Sequence, residues 1–419
     1  MPPEATPLRV AIDARDLLRA QRTGVERMLH EFIAHLAPPE PEGAGERAGN
    51  IDPPGPGSPP AARPDCLLLF DRHHPLVERL ARQHRVAVLP VRHPRLQRLF
   101  DAWCAFQVGP LLRAAGIEVF YSPNTKLPLT GTVPAVTTVH GVEWRFHPQG
   151  YHWVERLKQR FWFEACTRRA AGLVTFAAHT RADIGRLRRA HGRPVRVVGE
   201  GVARMFRTLP ATERDAGVPR RLGIGAPYIL SVASLVPRKN IPNLLRATAL
   251  LAAHGRPHQL VLVGKPGWRA GQLHTLADQL GLGARVVFTG FVDDATLVQL
   301  YNQAALFAYP SFYEGFGLPI LEAYACGTPV VTARASATAE VAGAGALLVD
   351  PADPAGLARA MARLLDDAGL RARLRQHAAA RLAEFQWPRM TAAICAFLAD
   401  VARGLPEHAQ RQPADRQGH

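Results

Sequence analysis

Two glutamates eight residues apart, Glu314 and Glu322, enclose Gly315, Gly317 and Pro319 in the run YPSFYEGFGLPILEA that begins at Tyr309. An apolar strand pattern ends near Tyr309. The glycines fit a short loop, and Pro319 stands where a helix should begin, a position that favours proline. Gly327 and Pro329 stop that helix, and Val330 opens the next strand. Such a loop presents unpaired backbone N–H groups and a partial positive charge, which is a seat for phosphate. Glycine lets the backbone come close to a ligand. A carboxylate beside a phosphate is unfavourable unless it accepts hydroxyl groups. We therefore expect Glu314 in the loop, and Glu322 in the first helical turn, three residues after Pro319, accepting two neighbouring ribose hydroxyls. The pair points to a nucleotide sugar rather than to phosphate alone. The bland alternative for Glu322 is a carboxylate favoured by the helix dipole.

The elements that must position these residues alternate between strand and helix, the signature of parallel-sheet α/β domains. A first series of strands is expected at Val10–Asp13, Cys66–Phe70, Val86–Val91, Val119–Ser122, Ala135–His140, Leu173–Phe176 and Val195–Val198. A second is expected at Ile229–Ala233, Leu260–Val263, Val286–Thr289, Leu306–Tyr309, Val330–Thr332 and Leu347–Val349. Two series imply two doubly wound domains. We place an N-terminal domain at 1–205, with a Pro/Gly-rich flexible loop at 38–64, and a second domain at 206–385. An amphipathic helix over 386–403 and a disordered tail over 404–419 follow. Val25, Met28, Leu29, Phe32, Ile33 and Leu36 recur at helical spacing after Gly24, which puts Glu26 and Arg27 on an exposed face.

The 419 residues are 47% hydrophobic and 21% charged, enough to build real cores. No apolar run is long enough to span a bilayer, and the start of the chain is too polar for a secretory signal. A cytoplasmic location is expected. Five scattered cysteines suit neither zinc nor a disulfide framework. The net charge is +16, but only Lys126, Lys158, Lys239 and Lys265 are lysines, so the excess is arginine. Such a bias often follows genomic base composition, and no nucleic-acid partner is expected. A basic surface would still be drawn to anionic lipid headgroups, at the inner face of the plasma membrane. Two stretches, Arg92 to Arg113 and Arg156 to Arg169, combine basic and aromatic residues. Each could lie on a membrane or simply pack on the sheet; we favour packing.

The 309–323 segment resembles the E-x7-E motif of retaining family-4 glycosyltransferases of the GT-B fold. The resemblance extends over most of the chain. It includes VASLVPRKN (232–240), VLVG (261–264), TGFV (289–292), ACGTPVV (325–331) and Glu340–Val341. In the first half it includes IDAR (12–15), Thr23–Gly24–Val25, SPN (122–124), Val139–His140 and Glu200–Gly201–Val202. It implies that Glu314 contacts the donor sugar and Glu322 the ribose. Lys239 and Arg238 would neutralise the diphosphate, with Gly315, Phe316, Gly317 and Leu318 forming the donor loop. Gly24 would belong to a loop closing over the phosphates, and His140 would line the sugar pocket. The sequence departs from the family in three places. Ser234 stands where many members have arginine, and Arg238 is its nearby substitute. His140 is followed by Gly141 rather than aspartate. Ala177 and Ala178 replace a usual serine. No D-x-D triplet occurs, Asp293–Asp294 reads as a turn or helix cap, and neither a metal nor a cofactor is expected.

The resemblance implies two Rossmann-like domains facing across a cleft, with the final helix crossing back to the first. It implies a retaining hexosyltransferase, with mannose from GDP-mannose the first expectation. The acceptor would be a growing or lipid-linked glycan of the bacterial surface. A sugar-nucleotide epimerase or a phosphorylase-like enzyme of the same fold, and a basic non-catalytic binding protein, are the alternatives.

Overall fold

The computed structural model describes residues 7–19, 24–36, 64–92, 97, 101–187, 192–225, 227–267 and 270–405. Nearly all of the 38–64 loop and of the 404–419 tail lies outside the described residues.

Every expected strand is present, most within two residues of its expected ends. The first sheet holds β1 (Arg9–Asp13), β2 (Asp65–Phe70), β3 (Arg85–Val88), β4 (Val119–Ser122), β5 (Ala135–Thr138), β6 (Gly172–Thr175) and β7 (Val195–Val197). The second holds β8 (Tyr228–Val232), β9 (Gln259–Val263), β10 (Val286–Gly290), β11 (Leu306–Tyr309), β12 (Val330–Ala333) and β13 (Ala346–Val349). The orders are β3-β2-β1-β4-β5-β6-β7 and β10-β9-β8-β11-β12-β13, and the pairings are parallel. Strand order reverses between β1 and β4 and again between β8 and β11. In doubly wound sheets the crevice beyond those strand ends is where ligands bind. The loops after β8 and β11 carry Lys239 and Glu314.

The strands are almost continuous apolar runs because helices cover both faces. Helix Gly24–Ala34 buries Met28, Leu29, Phe32 and Ile33 against the first sheet. Trp103 and Leu112 are buried while Phe106 is 45% exposed, so the described part of the 92–113 stretch packs on the sheet with one aromatic left at the surface. Helix Trp387–Ala402 returns to the first sheet and buries Phe397 and Ile394 there.

Two stretches of chain connect the domains, and they press on one another. A Cβ at Gly201 would meet the Trp387 backbone nitrogen at 2.4 Å, and one at Gly199 would meet the Phe385 ring at 2.6 Å. Glycine is needed here for close approach.

Candidate donor site

The loop after β8 is built by its own sequence. Pro237 opens a single 3-10 turn, Pro237–Lys239, and Asn240 closes it in the left-handed region at φ 59°. Asparagine tolerates that conformation better than most residues. Its side-chain amide donates to the carbonyls of Pro310 (2.9 Å) and Pro351 (2.6 Å). The Phe312 N–H donates to the Arg238 carbonyl at 2.8 Å, which ties this loop to the one after β11. Lys239 is thereby fixed with its ammonium inward. Nζ donates to Glu314 Oε1 at 2.6 Å and to the Tyr309 hydroxyl at 2.7 Å. Arg238 Nη1 donates to Glu314 Oε2 at 2.8 Å.

Glu314 is thus a buried carboxylate between two cations. Burial pushes its pKa up, but Arg238 and Lys239 outweigh burial and hold it at about 2. Burial and the neighbouring Arg238 press the Lys239 ammonium down to about 8, against the pull of Glu314. Near pH 7 both groups are charged, and Glu314 is no proton donor. Loss of the ammonium charge as pH rises through about 8 should therefore cost activity. We expect kcat/KM to fall above pH 8. The kcat limb should lie higher if the expected diphosphate binds beside Lys239, because an anion favours the charged lysine. Coincident limbs in initial-rate profiles would refute that assignment.

Gly315 and Gly317 have separate reasons to be glycine. A Cβ on Gly315 would lie 1.6 Å from the His140 carbonyl oxygen of the other domain. Gly317 precedes helix Leu318–Ala325 with φ 121°, a conformation open to glycine. Phe316 is buried, edge-on to Phe176 and Phe385, and Leu318 is buried 3.7 Å from the Cβ position of Gly24. The structure therefore brings Gly24, His140 and the whole 314–318 loop together. His140 is half-buried, and desolvation lowers its pKa below the ordinary histidine value, so the ring is neutral. Its Nε2 lies 2.7 Å from the Pro123 carbonyl and must carry the proton there, which leaves Nδ1 as an acceptor.

Glu322 needs one correction. It is the fifth residue of its helix, so it lies beyond the first turn. Its carboxylate is also already engaged. Oε1 accepts from Arg27 Nη1 at 2.6 Å, and Oε2 accepts from the Tyr301 hydroxyl at 3.0 Å. The expected exposed face of helix Gly24–Ala34 is likewise wrong. Glu26 is buried, 2.9 Å from Arg19 Nη1, and Arg27 reaches across the cleft. Arg27 lies off the apolar stripe of its helix, so periodicity alone assigns it to solvent. The second domain covers it. Asp293 does cap helix Asp294–Gln303, accepting from the Thr296 N–H at 2.7 Å.

Other contacts across the cleft had no role assigned from the sequence, although Glu340–Val341 belongs to the family pattern. Tyr313 donates to Asp183 at 2.9 Å, and Thr180 donates to the Gly315 carbonyl at 3.0 Å. Glu340 accepts from the N–H groups of Ala178 (2.8 Å) and His179 (2.9 Å). Helix Ala178–Arg186 has alanine at its N-cap and no local side-chain cap. The cap comes instead from the opposite domain. Glu340→Ala should cost about 1–2 kcal/mol of closure, the usual worth of a cap. Small-angle scattering should show an expanded free protein, and an unchanged radius would remove the argument.

The sequence pattern of the family described as "Glycosyl transferases group 1" matches residues 220–381. The chain is 30% identical over 339 residues to the O-antigen chain mannosyltransferase B of Escherichia coli, covering 78% of this chain and 80% of that protein. Among solved structures, Anabaena HepE in complex with UDP and glucose shares 20% identity at a TM-score of 0.66, over 94% of this chain and 99% of that one. WaaG, a glycosyltransferase involved in lipopolysaccharide biosynthesis, shares 16% at a TM-score of 0.66, over 93% and 99%. At such identities the two structures speak to the fold, which is GT-B. The fold, together with a sequence match spanning most of the mannosyltransferase, shows that this chain belongs to the group 1 glycosyl transferases.

Proposed function

We propose that this protein transfers a hexose, mannose from GDP-mannose, to a glycan acceptor with retention of anomeric configuration and without a metal or cofactor. One observation carries the reading: Glu314 held ionised between Lys239 and Arg238 at the strand ends where the order reverses. The two cations are placed to neutralise a diphosphate leaving group, which a metal would otherwise do. Glu314, fixed as an acceptor, orients hydroxyls of the donor sugar, and Glu322 takes the ribose. In the transfer the sugar C1–O bond to phosphate breaks while the acceptor oxygen bonds to C1 on the same face. The acceptor proton passes to a phosphate oxygen of the departing nucleotide. Mannose as the sugar rests on the likeness to the E. coli mannosyltransferase.

The acceptor side favours an amphiphile. Helix Trp153–Arg169 exposes Trp153, Leu157 and Phe161 beside Arg156 and Arg160. Together with Trp144 and Arg145 it lines a groove of about 660 Å³. Such a face fits a lipid-linked glycan at an anionic membrane surface. No helix among the described residues is long and apolar enough to cross a membrane.

The test is an assay of GDP-, UDP-, ADP- and dTDP-sugars with mannan oligosaccharides as acceptors, with and without EDTA. Anionic vesicles form a parallel co-sedimentation arm. Mannosyl transfer from GDP-mannose, unaffected by chelation and with the α-linkage kept in the product, is expected. Turnover without an acceptor would point to an epimerase, and a requirement for inorganic phosphate to a phosphorylase. Failure of Glu322→Ala to weaken donor binding would remove the proposed ribose contact.

A further inference from the structure

Transfer chemistry does not require a first-domain cation on Glu322, yet one is there. Arg27 projects from helix Gly24–Ala34 with its side chain 13% exposed. Nη1 donates to Glu322 and Nη2 donates to Asp294 Oδ1 at 2.5 Å, while the guanidinium lies 5.1 Å from the Phe206 ring centre. Tyr301 holds the other oxygen of Glu322. Both oxygens of the carboxylate are therefore in use.

A ribose diol that engages Glu322 through both hydroxyls meets Arg27 as a competitor for Oε1. A guanidinium that bridges two acids has somewhere to go, because its fork can keep one partner when it loses the other. Asp294 is the more solvent-accessible of the two acids, 32% exposed against 8% for Glu322. It also stands at the start of helix Asp294–Gln303, in the same domain as Glu322.

We propose that Arg27 sets donor affinity: it occupies Glu322 in the empty cleft and withdraws onto Asp294 when the ribose of a nucleoside diphosphate takes its place. The inference rests on the reading of Glu322 as the ribose acceptor. In the exchange Glu322 replaces a guanidinium N–H with a hydroxyl, and Arg27 keeps one carboxylate. Glu322 keeps the Tyr301 hydroxyl and gains a ribose hydroxyl, so its oxygens stay hydrogen-bonded after the cation leaves. Because the pair joins the two domains, the arrival of the nucleotide also loosens one tie across the cleft. The apparent affinity for donor is lowered by whatever fraction of Glu322 the arginine holds.

Substitutions at Arg27 and at Asp294 make opposite predictions. Arg27→Gln removes the competitor, and Asp294→Asn removes the refuge. Calorimetric titration of GDP and of UDP into the full-length variants reads both. Arg27→Gln should bind the preferred nucleotide about 5- to 50-fold more tightly, within the usual range of coupling between sites. Asp294→Asn should bind it at least about 5-fold more weakly. The double variant should follow Arg27→Gln, since a refuge is irrelevant without its occupant. A tie that serves only packing would shift both single variants the same way, and that result overturns the proposal. Arg27→Met is the second variant if thermal melts show that Arg27→Gln does not fold. Glu322→Ala separates the two levels. Wild-type affinity in Glu322→Ala overturns the ribose reading itself. Weakened binding there, with single variants shifting together, overturns the role of Arg27 alone.

Discussion

Lys239→Ala is expected to lower kcat/KM by about 10²- to 10³-fold, the usual range for losing one preorganised charge at a reacting centre. Two effects combine. The departing diphosphate loses its buried ammonium, and Glu314 keeps only Arg238 as a counter-charge. Removing one partner of a buried pair costs about 3–5 kcal/mol, because the remaining charge stays desolvated. Thermal melts must accompany the kinetics for that reason. Lys239→Arg should not restore activity. The site holds a compact ammonium between Glu314 and Tyr309, with Arg238 already alongside, and a second planar guanidinium does not replace it. Full activity in either variant at unchanged donor concentration would refute the assigned role.

Gly315→Ala should cut kcat by about 10²-fold or more, the scale of a 1 Å misplacement of reacting groups. A methyl group there has nowhere to go while the cleft is shut, since the His140 carbonyl already occupies the space. The contact joins the two domains, so each domain should keep its own fold. Lys239, Arg238 and Glu322 all belong to the second domain, and nucleoside diphosphate should still bind. On the proposed reading, catalysis would fail because the expected sugar pocket, with His140 on one wall and Glu314 on the other, does not assemble. Loss of nucleotide binding together with turnover would mean that the loop itself had collapsed. An active variant would mean that transfer does not need this degree of closure.

Much of this was legible in the sequence, and the parts that were not share one cause. The thirteen strands among the described residues follow from short apolar runs bounded by turn residues, because parallel strands are covered on both faces and need no alternation. The grouping of Glu314, Lys239 and Arg238 followed from resemblance and from the strand ends that carry them. Arg27 was not legible, since an arginine off an apolar stripe reads as solvated whenever the covering surface comes from a distant part of the chain. The same holds for Glu340. The absence of a cap residue at Ala177 was visible, but not that residue 340 would supply it. Glu322 falls one helix position later than expected for a local reason: the helix starts at Leu318 and includes Pro319, rather than beginning at the proline.

The paired crossings at Gly199–Gly201 and Phe385–Trp387 have a mechanical consequence. One connecting strand would let the domains swivel about any bond in it. Two strands lying side by side resist torsion like two straps of a door hinge, and leave one axis free, roughly along the line where they touch. The donor lobe would then travel on an arc, and the same residues would meet at the end of every swing. Such guidance would let a contact as tight as Gly315 against His140 be remade after any opening without a search over orientations.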